Sequence, residues 1–508
     1  LNLEINTNNY YLLSLFLIYY LLLNLIEDVV EPRTNKIVVY FPFFFLFSGT
    51  YLGTNISFFL IVLVFYSLKF LPTHLKKINT ITIGLLITFS SIWLTSVDQG
   101  KDYYFDPDKL RGLVNTSYTL LSQSFWIFMS ISIVFGLNFI FSKNIDIEKL
   151  INNFLISGTL IVFLGFLGSQ SKFMNLFNYF IFGQNKRGMK TFQSIEGNTW
   201  RGFSPSAEAA GEYFGFVILL YFLFLLIKNK GFNLFHVSLL SINAYGLYRS
   251  NNFAAIILLI FFLLISYLYH HQKIKIRTII VGTLIIVLIV LLFPVSQYGY
   301  SYVSKHLLLQ ATSYSDIFIN APDYENADRF FKENDIGTIL LMYDNQERMS
   351  NSLLNVINLF TQGFNFPFFP NIVAIASLIS IIINRSELWG IFIAKYNPEP
   401  LNFLFGYGPF QFNEYYFGHK IIKIDGLILP HSSILDLLIF FGLFGILFCV
   451  ALVFRYFIKN NYFYGNLLII FLLINILKSD SILYLPSLSL IFLAFKLSPK
   501  IKEIDKHE

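Results

Sequence analysis

Residues 404–454 read LFGYGPFQFNEYYFGHKIIKIDGLILPHSSILDLLIFFGLFGILFCVALVF. A glycine-punctuated aromatic segment, expected to face water, runs into Pro430, His431, Ser432 and Ser433. An apolar run of about twenty residues follows, long enough to cross a bilayer as a helix at 1.5 Å rise per residue. The one polar cluster therefore falls where a membrane helix begins. Pro430 suits a helix start, where its missing N–H costs nothing, and the serines can cap free amides. A helix N-terminus carries partial positive charge, which disfavours an imidazolium and helps keep His431 neutral. A neutral imidazole at a membrane surface can accept a proton from a hydroxyl. The plainer reading is an interfacial histidine that only caps the helix.

Working outward, the same apolar character recurs along the chain. Of 508 residues, 55% are hydrophobic and only 13% charged, against about 25% charged in an ordinary soluble domain. Apolar runs fall at 10–26, 37–53, 56–71, 80–96, 118–141, 154–168, 209–228, 233–248, 252–269, 278–294, 431–454, 464–477 and 482–497. In lipid each must be helical, because hydrocarbon offers the backbone no partners. The expected fold is all-α: a polytopic integral membrane helical bundle of about 12–13 spans with a large external loop containing short helices. Its expected divisions are 1–294, with ten helices and external loops 97–117 and 169–208, then a large loop 295–430, C-terminal helices over 431–497 and a cytoplasmic tail 498–508. The first run has no basic region before it and no small-residue cleavage site, so a cleaved signal peptide is not expected there.

The net charge of +6 is small for this length, and no basic stripe points to nucleic acid. The single cysteine, Cys449, lies in an apolar run, so neither a disulfide nor a cysteine metal site forms within the chain. Basic residues in the short connections set orientation. Lys76 and Lys77, Lys143 and Lys149, Lys228 and Lys230, Lys273, Lys275 and Arg277, Arg455 and Lys459, and Lys496 and Lys500 all fall on one side if the spans alternate. Loops 97–117, 169–208 and 295–430 then share the opposite, external side, as walls of one site or as three independent loops.

Each loop carries its own signals. Loop 97–117 is polar and of mixed charge, and supplies either a lid or nothing. Loop 169–208 holds Lys186, Arg187, Lys190 and the run TWRGFSPSAEAAGEYFGF. Its Ser204-Pro205-Ser206-Ala207-Glu208 is a helix start, with hydroxyl caps and an acid in the first turn. Arg201, just ahead of it, is suited to an anion such as a lipid phosphate, or snorkels to headgroups. Tyr248 to Asn252 form a tight external turn in which Arg249 reads as a structural anchor. In loop 295–430, the acids over 312–349 show no metal-ligand spacing and read as a solvated surface. Residues 369–383 are apolar but short for a span, and fit an in-plane, re-entrant or buried helix. Arg385 stands four positions before Trp389, on one helical face with it.

Arg201, Arg385 and His431 come from three segments that each touch a membrane boundary. Two guanidiniums can grip a pyrophosphate without a metal and stabilise charge building on it as it leaves. A neutral histidine can take a proton from an attacking sugar hydroxyl. Together these are parts for moving a glycan from a lipid pyrophosphate to a hydroxyl. The paired carboxylates of water-using glycosidases, a glycine-rich phosphate loop, a His/Cys metal set and a Ser–His–Asp arrangement are not evident. FGYGPF at 405–410 reads as a turn shaping the external loop.

RSELW (385–389), LFGYGPF (404–410), PHSSILDLL (430–438) and GLFG (442–445) occur in this order. The pattern resembles the bacterial O-antigen ligase/polymerase family, whose members show an Arg ahead of a Trp, a Gly-x-Gly turn, and a His-Asn-x-x-Leu helix start followed by Gly-Leu-x-Gly. WRGFSPSAEAAGEY (200–213) is similar to the family's earlier periplasmic Arg segment, and YRSNNFAAI (248–256) to its turn before another helix. The likeness covers the C-terminal two-thirds of the chain. Ser432 stands where the family has Asn, and the Arg249 turn departs from the family's Ser-Arg order, so no role passes to Arg249.

The resemblance implies an inner-membrane, metal-independent, inverting glycosyltransferase with no cofactor and a periplasmic active face. Its donor would be an undecaprenyl-pyrophosphate-linked glycan. Its acceptor would be a lipid-linked repeat unit, in a polymerase, or lipid A–core, in a ligase; the polymerase is favoured. Arg201, Arg385 and His431 would be catalytic, with Arg201 and Arg385 also binding substrate; Arg187 of loop 169–208 and Tyr407 of the glycine turn are further candidate substrate-binding residues from this sequence's own loops. Membrane lipid and a chain-length regulator would be its other partners. The competing class is a flippase or transporter without bond chemistry, which needs charged or broken helices at mid-membrane. By sequence, Glu212 and Asp436 lie only near helix ends, and Gly/Pro interruptions are not paired between halves.

Overall fold

A computed structural model describes residues 36–47, 63–64, 66–68, 80–95, 120–141, 145–170, 207–228, 233–270, 398–409, 431–460 and 462–506. Among them there are helices and connections but no strand. The helices are α1 (Lys36–Phe47), α2 (Thr80–Thr95), α3 (Leu120–Phe141), α4 (Ile147–Gln170), α5 (Ala207–Lys228), α6 (Leu234–Ser250), α7 (Phe253–His270), α8 (Pro400–Phe405), α9 (Ser433–Lys459), α10 (Phe463–Asn475) and α11 (Leu485–Lys506). A 3-10 turn, Ser481–Leu483, precedes α11. The expected runs at 10–26 and 278–294, the in-plane segment 369–383, and loop 97–117 lie outside the described residues.

Two described helices, α5 and α9, are long and apolar enough to cross a membrane by length and composition. They differ in setting. The apolar stretch of α5 is 83% buried inside the bundle, and that of α9 only 17%. Helix α5 is apolar all round, which suits a helix enclosed by protein on every side. It packs against α4, α6, α7, α10 and α11. Phe214, Phe216, Leu219, Tyr221 and Leu223 are fully buried along it. Helix α9 instead exposes Phe444, Leu447, Val450, Leu452, Phe454 and Ile458.

One buried polar joint ties α6 to α4. Asn243 Nδ2 donates to Leu155 O at 3.1 Å and to Leu239 O at 2.8 Å, and the residue has no exposed surface. Gly158 leaves room for that amide, since a Cβ there would collide with it. Replacing Asn243 with Ala removes these bonds and should cost about 1–2 kcal/mol. A thermal-unfolding midpoint equal to wild type in purified Asn243→Ala would show that the joint contributes nothing.

The expectation for residues 404–410 needs correction. Gly406 to Pro409 do not face water: all four are buried, and Tyr407 is only 5% exposed, within the core. Helix α9 explains why. It is interrupted at Gly442, with φ 64° and ψ −169°, a region essentially open to glycine alone. The break leaves carbonyls of the preceding turn without helical partners. Tyr407 N–H donates to Ile439 O at 2.8 Å and Gly408 N–H to Phe440 O at 2.9 Å, which satisfies them. Gly406 is in the matching conformation, φ 76° and ψ −175°. A Cβ on Gly442 would strike the Leu404 backbone, and one on Gly406 the Phe440 backbone. The chains cross glycine against glycine. Side chains lock the segment from the other side: Gln123 Nε2 donates to Tyr407 O at 2.7 Å, and Trp93 Nε1 to Phe405 O at 2.9 Å.

Candidate functional site

Four chain segments converge at one end of the bundle: the first turns of α5, the turn between α6 and α7, the start of α9, and the connection from α10 to α11. The sequence reading puts the first three on one side of a membrane. Asn251 adopts a left-handed conformation, φ 54°, that turns the chain. Asn252 then reaches back, donating from Nδ2 to Glu208 O at 3.2 Å and accepting from Ala255 N–H at 3.3 Å. One asparagine thus caps α7 and holds it to α5.

At the start of α9, Ser432 is the N-cap by backbone conformation, but its side chain makes no capping bond. Ser433 does the joining. Its N–H donates to Ile476 O and Ser479 O, both at 2.9 Å, its Oγ donates to Ser479 O at 2.6 Å, and Ile482 N–H donates to that Oγ at 3.2 Å. The opening of α9 and the α10–α11 connection are therefore one hydrogen-bonded unit. His431 precedes it with φ 46°, a left-handed conformation that histidine tolerates better than most residues.

That backbone turn aims the ring at Asp480. His431 Nδ1 lies 2.6 Å from Asp480 Oδ2, with the histidine side chain 28% exposed and the aspartate side chain fully buried. The contact sets Nδ1 against the carboxyl at ion-pair distance; a neutral ring in this place would carry its proton on Nδ1 and its lone pair on Nε2. The helix end alone was expected to keep the ring neutral. The carboxylate acts in the opposite sense, by stabilising a positive ring.

Two more carboxyls stand behind this pair. Asp436, in the first turn of α9, has no exposed surface and lies beside Asp480. Neither of its oxygens meets a donor among the described residues. Glu212, one turn into α5 and 2% exposed, meets the hydroxyls of Ser479 and Ser481. Ser481 Oγ lies 2.7 and 2.8 Å from its two oxygens. Buried carboxyls are costly unless paired or hydrogen-bonded; serine hydroxyls partner Glu212 and the His431 ring stands against Asp480, whereas Asp436 has no such donor among the described residues. Among the described residues no group of three His, Cys, Asp or Glu side chains is arranged to hold a metal ion.

No family model, curated protein or solved structure matches the chain. The reading of the site therefore rests on its geometry and on the sequence.

Of the expected site residues, His431 stands at the mouth of the cluster and Tyr407 lies in the core, on the segment docked at the α9 break. Arg201, Arg385 and Arg187 lie outside the described residues. Asp480 was missed, as were the roles of Asp436 and Glu212; a search for a serine–histidine–aspartate set does not find a histidine paired to an aspartate alone. A signal was present. Ser479-Asp480-Ser481 is a polar triplet between two apolar runs, and an acid in such a setting marks a site by default. Glu212 and Asp436 carry the same mark.

Proposed function

We propose that the protein is a polytopic membrane glycosyltransferase of the inner membrane, acting at the periplasmic face. It transfers a glycan from an undecaprenyl-pyrophosphate carrier to a sugar hydroxyl. The observation that carries this reading is the His431–Asp480 contact at 2.6 Å. It is a part-exposed imidazole, oriented by a buried carboxylate, at the end of the bundle where the connections read as external converge.

In this reaction His431 Nε2 takes the proton of the acceptor hydroxyl. The hydroxyl oxygen bonds to the anomeric carbon as the bond from that carbon to the pyrophosphate oxygen breaks, with inversion. The pyrophosphate keeps the bonding electrons and leaves on its lipid. Asp480 stabilises the imidazolium until its proton passes to water. Arg201 and Arg385 hold the pyrophosphate and offset its growing charge. Arg201 closely precedes α5 in the sequence, and α5 brings Glu212 to the cluster. The acceptor is the next lipid-linked repeat unit in a polymerase, which we favour, or lipid A–core in a ligase.

A flippase is the second reading, and the break in α9 speaks for it. A discontinuous helix and buried acids are features of transporters, and Gly442, Glu212 and Asp436 supply them. Purified full-length protein in liposomes carrying lipid-linked repeat units separates the two. Glycan chains that lengthen on one leaflet are the expected result. Lipid-linked glycan that changes leaflet without lengthening would overturn it in favour of the flippase. In cells lacking the protein, single-repeat caps indicate a polymerase, whereas accumulated lipid-linked polymer and bare core indicate a ligase.

A further inference from the structure

Asp480 can orient His431 only if the connection that carries it is itself held. The two residues that flank it, Ser479 and Ser481, both bond to one side chain, Glu212 of α5. Ser479 also accepts from Ser433 through its carbonyl, two residues after His431. Glu212 therefore grips the turn on both sides of Asp480, and Ser433 ties the same turn to the strand of chain bearing His431.

We propose that Glu212 is a positioning residue: through Ser479 and Ser481 it sets the direction of the Asp480 carboxyl, and thereby the orientation and basicity of His431. The inference deepens the glycosyl-transfer reading of this site. Glu212 touches no substrate in this role. It acts at one remove, as a carboxylate behind a ring often does in metal and catalytic sites. Its carboxyl is the only side chain among the described residues that bonds both flanking serine hydroxyls.

The titratable groups facing this unit are Asp480 and Asp436 around the ring, and Glu208, one turn before Glu212 on α5. The test separates position from charge. Full-length protein in detergent is treated with diethylpyrocarbonate, which reacts with neutral imidazole, and labelling of the His431 peptide is followed by mass spectrometry across pH. Three variants are compared: Asp480→Asn, Glu212→Gln, and the double variant Ser479→Ala with Ser481→Ala. Asp480→Asn removes the carboxylate that stabilises the charged ring, so its labelling midpoint falls below that of wild type. Glu212→Gln should move the midpoint in the same direction. The double serine variant keeps every carboxyl and cuts the grip, together with the bond from Ser479 Oγ to Asn475 O at 3.0 Å, and it should do likewise.

A wild-type midpoint in the double serine variant, with the protein folded, would overturn the positioning role, because it would leave only a charge effect at Glu212. A wild-type midpoint in both variants would overturn it as well. Chain growth in liposomes is read alongside: kcat should fall at least tenfold in Glu212→Gln with KM unchanged, as expected for a residue that makes no contact with substrate. The two readings fail in different ways. If midpoints move as expected but wild type forms no glycosidic bond, the Glu212 inference stands and glycosyl transfer does not. If wild type elongates glycan but midpoints stay fixed, the reverse holds.

Discussion

His431→Asn should leave a folded protein that elongates glycan about 100 to 10,000 times more slowly than wild type, the usual contribution of a positioned general base. Asparagine is the informative substitution here. It tolerates the left-handed backbone that residue 431 adopts at φ 46°. Its amide can also donate to Asp480, so the buried carboxylate keeps a partner. His431→Ala does neither, and it adds the cost of an unpaired buried carboxylate to any effect on chemistry. Comparing the two variants separates folding from catalysis. Chain growth in reconstituted His431→Asn at the wild-type rate would remove the histidine from the mechanism and leave it as a helix-end residue. If the two arginines also act, Arg201→Ala and Arg385→Ala should each match the His431→Asn loss, with the protein still inserted.

Gly442→Val should be strongly destabilising. The residue sits at φ 64° and ψ −169°, where a non-glycine residue costs roughly 1–3 kcal/mol. The added side chain would also meet the Leu404 backbone. Relieving that collision parts the two segments and puts at risk the bonds from Tyr407 to Ile439 and Gly408 to Phe440, each worth about 0.5–1.5 kcal/mol. The sum, on the order of 3–5 kcal/mol, is a large share of a typical stability. Gly84→Ala is the control: no atom lies within 4 Å of a Cβ placed there, so the change should be neutral or slightly stabilising. Denaturation midpoints in detergent decide the matter. A Gly442→Val midpoint no lower than that of Gly84→Ala would mean that α9 runs unbroken.

Among the described residues much of the helical layout was legible in the chain, because burial inside a helical bundle selects continuous apolar runs. The run 209–228 became Ala207–Lys228, and 252–269 became Phe253–His270. Ends were less legible. Hydropathy marks where apolar side chains stop, whereas helices stop where their terminal groups find partners. Thus α11 continues past the apolar run, across Pro499 to Lys506, through residues read as a tail. The break in α9 was hidden for a related reason. Gly442 and Gly445 sit in a run whose composition fits an unbroken helix, and what makes the break stable is a distant segment, in which the N–H groups of Tyr407 and Gly408 fill the gap. His431 was singled out from local chemistry alone. Its partner was not, since nothing in periodicity says that the α10–α11 connection closes over the start of α9.

The partners of Glu212 also carry a consequence for how the molecule is made. Helix α5 emerges before the middle of the chain, yet Ser479 and Ser481 follow Glu212 by 267 and 269 positions. At roughly 5–20 residues per second of translation, that carboxyl waits on the order of 10–50 s before the groups that shelter it leave the ribosome. Until then, a helix whose apolar stretch is 83% buried in the described bundle holds an unmatched acid. The newborn chain must shield it with water, an early neighbour or a chaperone, and the bundle can close only after its last connection arrives.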